Sequence, residues 1–167
     1  MSYDSFHIAN TILDDYFENF GSTNGPIAMT NNRLNMLIYL IDNHYRTLTG
    51  EPLTIEPWLA HPYSPRLYSI SSYFVDMANS PLESYIHTPA EKQHHTSAHL
   101  LSMANKDIKL SFTTILDATK HTLDDDLRAM ITAEDTPWHK ARSNKEFIIR
   151  PQYIAADTSY AKALGII

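Results

Sequence analysis

Three histidines, His94, His95 and His99, are the first residues whose type and spacing raise the question of chemistry. In a helical segment His95 and His99 lie one turn apart and could share a metal ion. The pattern stops there. No glutamate stands between them in a His-Glu-x-x-His arrangement, and no third ligand follows at a fixed spacing. The expectation is solvent-facing histidines, with no metal and no cofactor. Asp124, Asp125 and Asp126 raise a second question, as an acid/base or metal cluster. Consecutive residues of a helix point in different directions, so these acids make no pair on one face. Their expected role is negative charge at the positive end of a helix dipole. The chain has no cysteine, hence no thiolate chemistry, disulfide or cysteine zinc site. It has no Gly-x-Ser-x-Gly elbow, and its 4 glycines leave no phosphate-binding loop of the usual spacing. No catalytic residue is assigned, and an enzyme with a site built on the histidines stays as an alternative, favoured by turnover that is lost on His95 or His99 substitution.

Two tryptophans offer binding in place of catalysis. Trp58 follows Pro57 and Trp138 follows Pro137, each expected between helices. A tryptophan so placed closes a core or anchors an interface. Arg33, Arg66 and Arg142 are expected to pair with Glu56, Glu134 or Asp135, fixing these segments onto a helical bundle.

The elements that would position these residues follow from periodicity and caps. Ser5 is expected to cap a helix reaching about Phe20, with an apolar stripe at Phe6, Ala9, Leu13, Tyr16, Phe17 and Phe20, and Gly21 ending it. Asn24-Gly25-Pro26 reads as a turn. Thr30 stands at an N-cap before a run in which Leu34, Leu37, Ile38, Ile41, Tyr45 and Leu48 share one face. Gly50 is the expected left-handed stop, and Pro52 prevents resumption. Pro57, Pro62 and Pro65 break the arm that carries Trp58, and Ser64-Pro65 reads as the start of a helix to about Asn79. Thr88-Pro89-Ala90-Glu91 reads as another N-terminus. Ser111 and Thr122 are expected to cap two more helices, and Pro151 to open a last one reaching Leu164. The sum is a mostly α single domain over residues 1–167, of about seven helices, with at most a minor two-stranded element from Leu53-Thr54-Ile55 and Phe147-Ile148-Ile149.

Two stretches resemble the Panacea domain family, whose antitoxin-like members are also found as phage-associated proteins. The first keeps Thr30, Leu34, Leu37, Tyr39, Leu48, Gly50, Pro52, Leu53, Trp58, Pro62 and Tyr68 of a Thr-led helix, its exit and the tryptophan arm. It departs at Arg33, Asn35 and Met36, where that pattern has Lys, Gln and Lys, and at Pro57 for Ala. His61 and Tyr63 flank Pro62 where the pattern reads Gly-Pro-Val. The second stretch matches a Thr-His-x-Glu-x-Pro-Trp-x-x-Ala-Arg pattern at Thr132, Pro137, Trp138, Ala141 and Arg142.

The resemblance implies an antitoxin of a type II toxin–antitoxin system, a non-catalytic protein that silences a cognate toxin encoded by an adjacent gene. The implied contact residues are Trp58, His61, Pro62, Tyr63, Tyr68, Trp138 and Arg142. The alternative is a regulatory or adaptor protein of phage or mobile-element origin, serving a protease or controlling transcription. A net charge of −6, from 19 acids against 13 bases, argues against nucleic-acid binding by this chain alone. Hydrophobic residues at 43% and charged residues at 19% place the chain among globular proteins. Met1 to Ser5 lacks the features of a signal peptide, and the aliphatic run from Met36 to Ile41 is too short for a bilayer. Together with the missing cysteines this suits a cytoplasmic protein away from membranes. Self-association stays open.

Overall fold

A computed structural model describes residues 2–20, 26–87 and 99–167. The readings at Gly21, Asn24-Gly25, Thr88 to Glu91, His94 and His95 lie outside the described residues. The chain is mostly helical, with eight α-helices among the described residues and one two-stranded antiparallel sheet.

The order is α1 (Ser5–Phe20), α2 (Asn31–Thr49), β1 (Leu59–Ala60), β2 (Pro65–Arg66) and α3 (Tyr68–Tyr73), then a 3₁₀ turn at Val75–Met77. It continues with α4 (Lys106–Thr119), α5 (Asp124–Thr132), α6 (Pro137–Ser143), α7 (Pro151–Ala155) and α8 (Ser159–Ala163). No helix among the described residues is long and apolar enough to cross a membrane.

The architecture is set by α2. Thr30 caps it as its spacing predicts, its hydroxyl accepting from the Arg33 N–H at 3.1 Å. Gly50 ends it at φ 77°, donating to the Arg46 carbonyl at 2.8 Å. Between the caps the helix is buried on nearly every side. Met36, Tyr39 and Leu40 join Leu34, Leu37, Ile38, Ile41 and Tyr45 inside, while Leu48 is exposed. Asn31, Arg33, Asn35, Asp42 and Asn43 are buried with them, so the helix is enclosed on its polar positions too. It packs against α1, α3, α4, α5, α7 and β2, and the buried apolar residues of these elements form one core.

Several boundaries differ from the sequence expectation, each for a local reason. Asp4, not Ser5, supplies the α1 cap, accepting from the Phe6 N–H at 2.8 Å. The Ser5 hydroxyl is spent instead on Glu56 at 2.7 Å and Thr54 at 2.9 Å. Ser64-Pro65 opens no helix, because Pro65 and Arg66 pair with Ala60 and Leu59. Proline suits such an edge as well as it suits a first turn. The expected strand pair is also rearranged: Thr54 bridges Tyr3, and Ile148 bridges Leu59. Ser111 is buried inside α4, which starts earlier under Asn105, whose carboxamide accepts from the Asp107 and Ile108 N–H groups. Likewise α5 starts at Asp124 with no side-chain cap from Thr122. Pro137-Trp138 is not interhelical, since Thr136 caps α6 and Pro137 is its first residue. The last helix is split in two around Asp157, which accepts from the Ser159 N–H at 3.0 Å.

Beyond the 3₁₀ turn, Ala78 holds φ 47° and ψ −118°, a conformation that a side chain rarely tolerates. Such strain costs about 1–3 kcal/mol, against about 0.4–1 kcal/mol for the extra unfolded-state freedom of glycine. Ala78→Gly is therefore expected to stabilise the protein by about 1 kcal/mol. Urea unfolding checks this, and an unchanged or lower midpoint refutes it.

Candidate functional site

The site begins with a carboxylate that sequence reasoning passed over. Asp42 is fully buried in α2. One of its oxygens accepts from the Leu53 N–H at 2.7 Å. The other accepts from Trp58 Nε1 at 2.9 Å and Arg46 Nε at 3.0 Å. This pins the arm from Leu53 to Trp58 back onto the helix it has just left. A signal was present in the sequence: one acid inside an apolar run, with an arginine four residues on.

Trp58 is consequently 1% exposed and stacks edge to face on Tyr39, ring centroids 5.0 Å apart. Its assignment as a contact residue is corrected: it belongs to the core and presents no surface to a partner. What it does is fix where the chain emerges. Beyond it β1 leads to the exposed turn His61-Pro62-Tyr63, and β2 returns.

The second family-like stretch docks on that turn. From α6, Trp138 Nε1 donates to the His61 carbonyl at 2.8 Å, and Arg142 donates to the Ala60 carbonyl at 3.3 Å. From α5, the Arg128 guanidinium lies 4.1 Å from the centre of the Tyr63 ring. Ala60 N–H donates to the Phe147 carbonyl, which adds the segment after α6 to the same sheet edge. His61, Pro62, Tyr63, Trp138 and Arg142 thus share one face, with Trp138 half-buried and the others exposed. Tyr68, 70% exposed at the start of α3, stands beside His61 across a cleft.

The expected arginine pairs do not form. Arg33 reaches Asp124 and two carbonyls, Arg66 reaches Asn32, and Arg142 reaches Ala60. Glu56 accepts instead from Ser5 and Ser69. The three acids at the start of α5 diverge as expected, with Asp124 toward Arg33 and Asp125 toward Arg128. The face around His61 is left cationic in an acidic protein. Burial, and then the neighbouring Arg66 and Arg142 guanidiniums, push the His61 imidazole below its ordinary range. His99 is exposed and meets the His7 ring edge-on at 6.4 Å.

The arrangement suits recognition: aromatic rings on a rigid hairpin, held by backbone acceptors and rimmed by guanidiniums. No protein-family model, no curated protein and no solved structure matches the chain.

Proposed function

We propose that the protein is the antitoxin of a type II toxin–antitoxin pair and silences a protein toxin by occlusion, without turnover. The observation that supports this reading is the meeting of the two Panacea-like stretches. Trp138 and His61 are 77 residues apart in sequence, yet they share a hydrogen bond on an exposed face. Tyrosine, tryptophan and arginine, which dominate that face, are the types that carry most binding energy at interfaces. The toxin would contact His61, Pro62, Tyr63, Tyr68, Trp138 and Arg142.

The test is co-expression of the adjacent open reading frame, alone and with this protein. Toxicity alone, rescue together and a stable complex support the reading. A harmless neighbour, or toxicity without rescue, refutes it in favour of an adaptor or regulator. Within the complex, Tyr63→Ala removes an exposed ring whose one described cation contact is Arg128, so the fold should persist. It is expected to weaken toxin binding by roughly 30-fold, the scale of an aromatic hot spot, and Trp138→Ala by at least as much. Calorimetric affinities of both variants unchanged from wild type would exclude this face.

A further inference from the structure

Between the first turn of α2, the hairpin and α3 lies a cleft of about 380 Å³, large enough for a small organic ligand. Its charge pattern is one-sided. Arg66 forms a wall and no aspartate or glutamate lines the cleft. Arg66 Nη2 donates to the Asn32 carboxamide oxygen, while its Nε is buried with no hydrogen-bond partner. Among the described residues no carboxylate pairs with this guanidinium. A cation taken partly out of water without a counter-charge is costly, and structural arginines are normally compensated.

His61 adds an unused donor to the same space. His61 Nδ1 accepts from the Tyr63 N–H at 3.2 Å, which leaves the ring proton on Nε2 as a further donor. The strained Ala78 sits at the lip, where backbone strain often accompanies function.

We propose that this cleft is an oxyanion site, taking a small ligand through carboxylate or phosphate oxygens held by Arg66 and His61. The Arg66 Nη1 group has no protein partner among the described residues and is not among the buried atoms, which suits either oxyanion, and the imidazole adds a second donor. The site stands on the cleft's own chemistry and goes beyond the toxin-binding reading.

The test uses the ¹⁵N-labelled full chain, titrated with sodium phosphate and separately with sodium acetate at constant ionic strength, sodium chloride serving as the reference. Saturable shifts at the Arg66 Nε–H and the His61 ring, with the His61 pKa raised by the bound charge, are expected with at least one of the two anions. Saturation by phosphate alone assigns a phosphate ester, and by acetate alone a carboxylate. Arg66→Gln is expected to weaken binding by at least about tenfold. Should that variant not fold, Ser72→Asp decides, since it sets a carboxylate at the exposed rim of the cleft and is expected to compete with the added anion to the same degree. Shifts that stay linear and match those in chloride overturn the proposal. So does undiminished binding in a folded Arg66→Gln or Ser72→Asp variant.

Discussion

Asp42→Ala is expected to lower the stability of the protein by about 3–5 kcal/mol, the cost of stripping a buried ion of its partner. The carboxylate accepts from Leu53, Trp58 and Arg46, and all three donors lose it together. Arg46, whose side chain is 11% exposed, becomes an unpaired buried cation. The Leu53 N–H and the Trp58 indole N–H become buried donors without acceptors, at about 1–3 kcal/mol each. These terms overlap, because the loosened arm admits water, which is why their sum is not expected in full. Asp42→Asn keeps one carbonyl oxygen for one of the donors but turns an NH₂ toward another, so it should fall between wild type and alanine. Urea unfolding followed by tryptophan fluorescence measures both. A loss below about 1 kcal/mol for alanine would mean that the arm is held by the packing of Trp58 and Leu53 rather than by the carboxylate. The consequence reaches the surface, since Trp58 fixes the point at which the hairpin leaves the core. On the antitoxin reading proposed above, toxin affinity should therefore fall in Asp42→Ala even though Asp42 lies away from the candidate face.

The same residues show what the chain declares locally and what it does not. The limits of α2 were legible because a cap is a short-range device: Thr30 with its first-turn amide, Gly50 with its positive φ. Hydroxyls further along were misleading because serine and threonine serve equally well inside a helix, bonding back to a carbonyl four residues earlier. Thr119 does this toward Ile115 at 2.7 Å. Pro65 was ambiguous because a proline fits both a helix start and a sheet edge. The two tryptophans have the same prolyl neighbour, and only tertiary structure separates them: Trp58 finds a buried carboxylate, Trp138 an exposed carbonyl. The arginines were the least legible. Arg66 reaches the Asn32 carboxamide, while Arg33 and Arg142 reach the backbone carbonyls of Thr119, Thr122 and Ala60, and every residue has a carbonyl. No pattern of side chains can announce such a bond. The candidate face was accordingly legible in its residues but not in what holds it together.

Arg33→Ala is the second large effect expected, at about 1–3 kcal/mol for each buried acceptor it leaves unsatisfied. Arg33 is 4% exposed on α2. Its guanidinium closes the corner between α4 and α5, giving Nη2 to the Thr119 carbonyl at 2.9 Å and Nη1 to the Thr122 carbonyl and Asp124, each at 2.8 Å. The Thr119 carbonyl, in the last turn of α4, also accepts from the Thr122 N–H at 2.9 Å and so keeps one donor. Most of the loss should come from the Thr122 carbonyl, because Asp124 keeps access to water. Arg33→Lys separates geometry from charge. One ammonium cannot span acceptors that a planar fork reaches together, so lysine should recover about half of the loss. The corner also carries α5, whose Arg128 lies over the Tyr63 ring. Hydrogen exchange should therefore show α5 amides losing protection in Arg33→Ala well before those of α2. If α5 and α2 lose protection equally, the guanidinium supports the whole core and not the corner alone. If neither does, the carbonyls find other donors, and the hold of α2 on the candidate face runs through Asp42 alone.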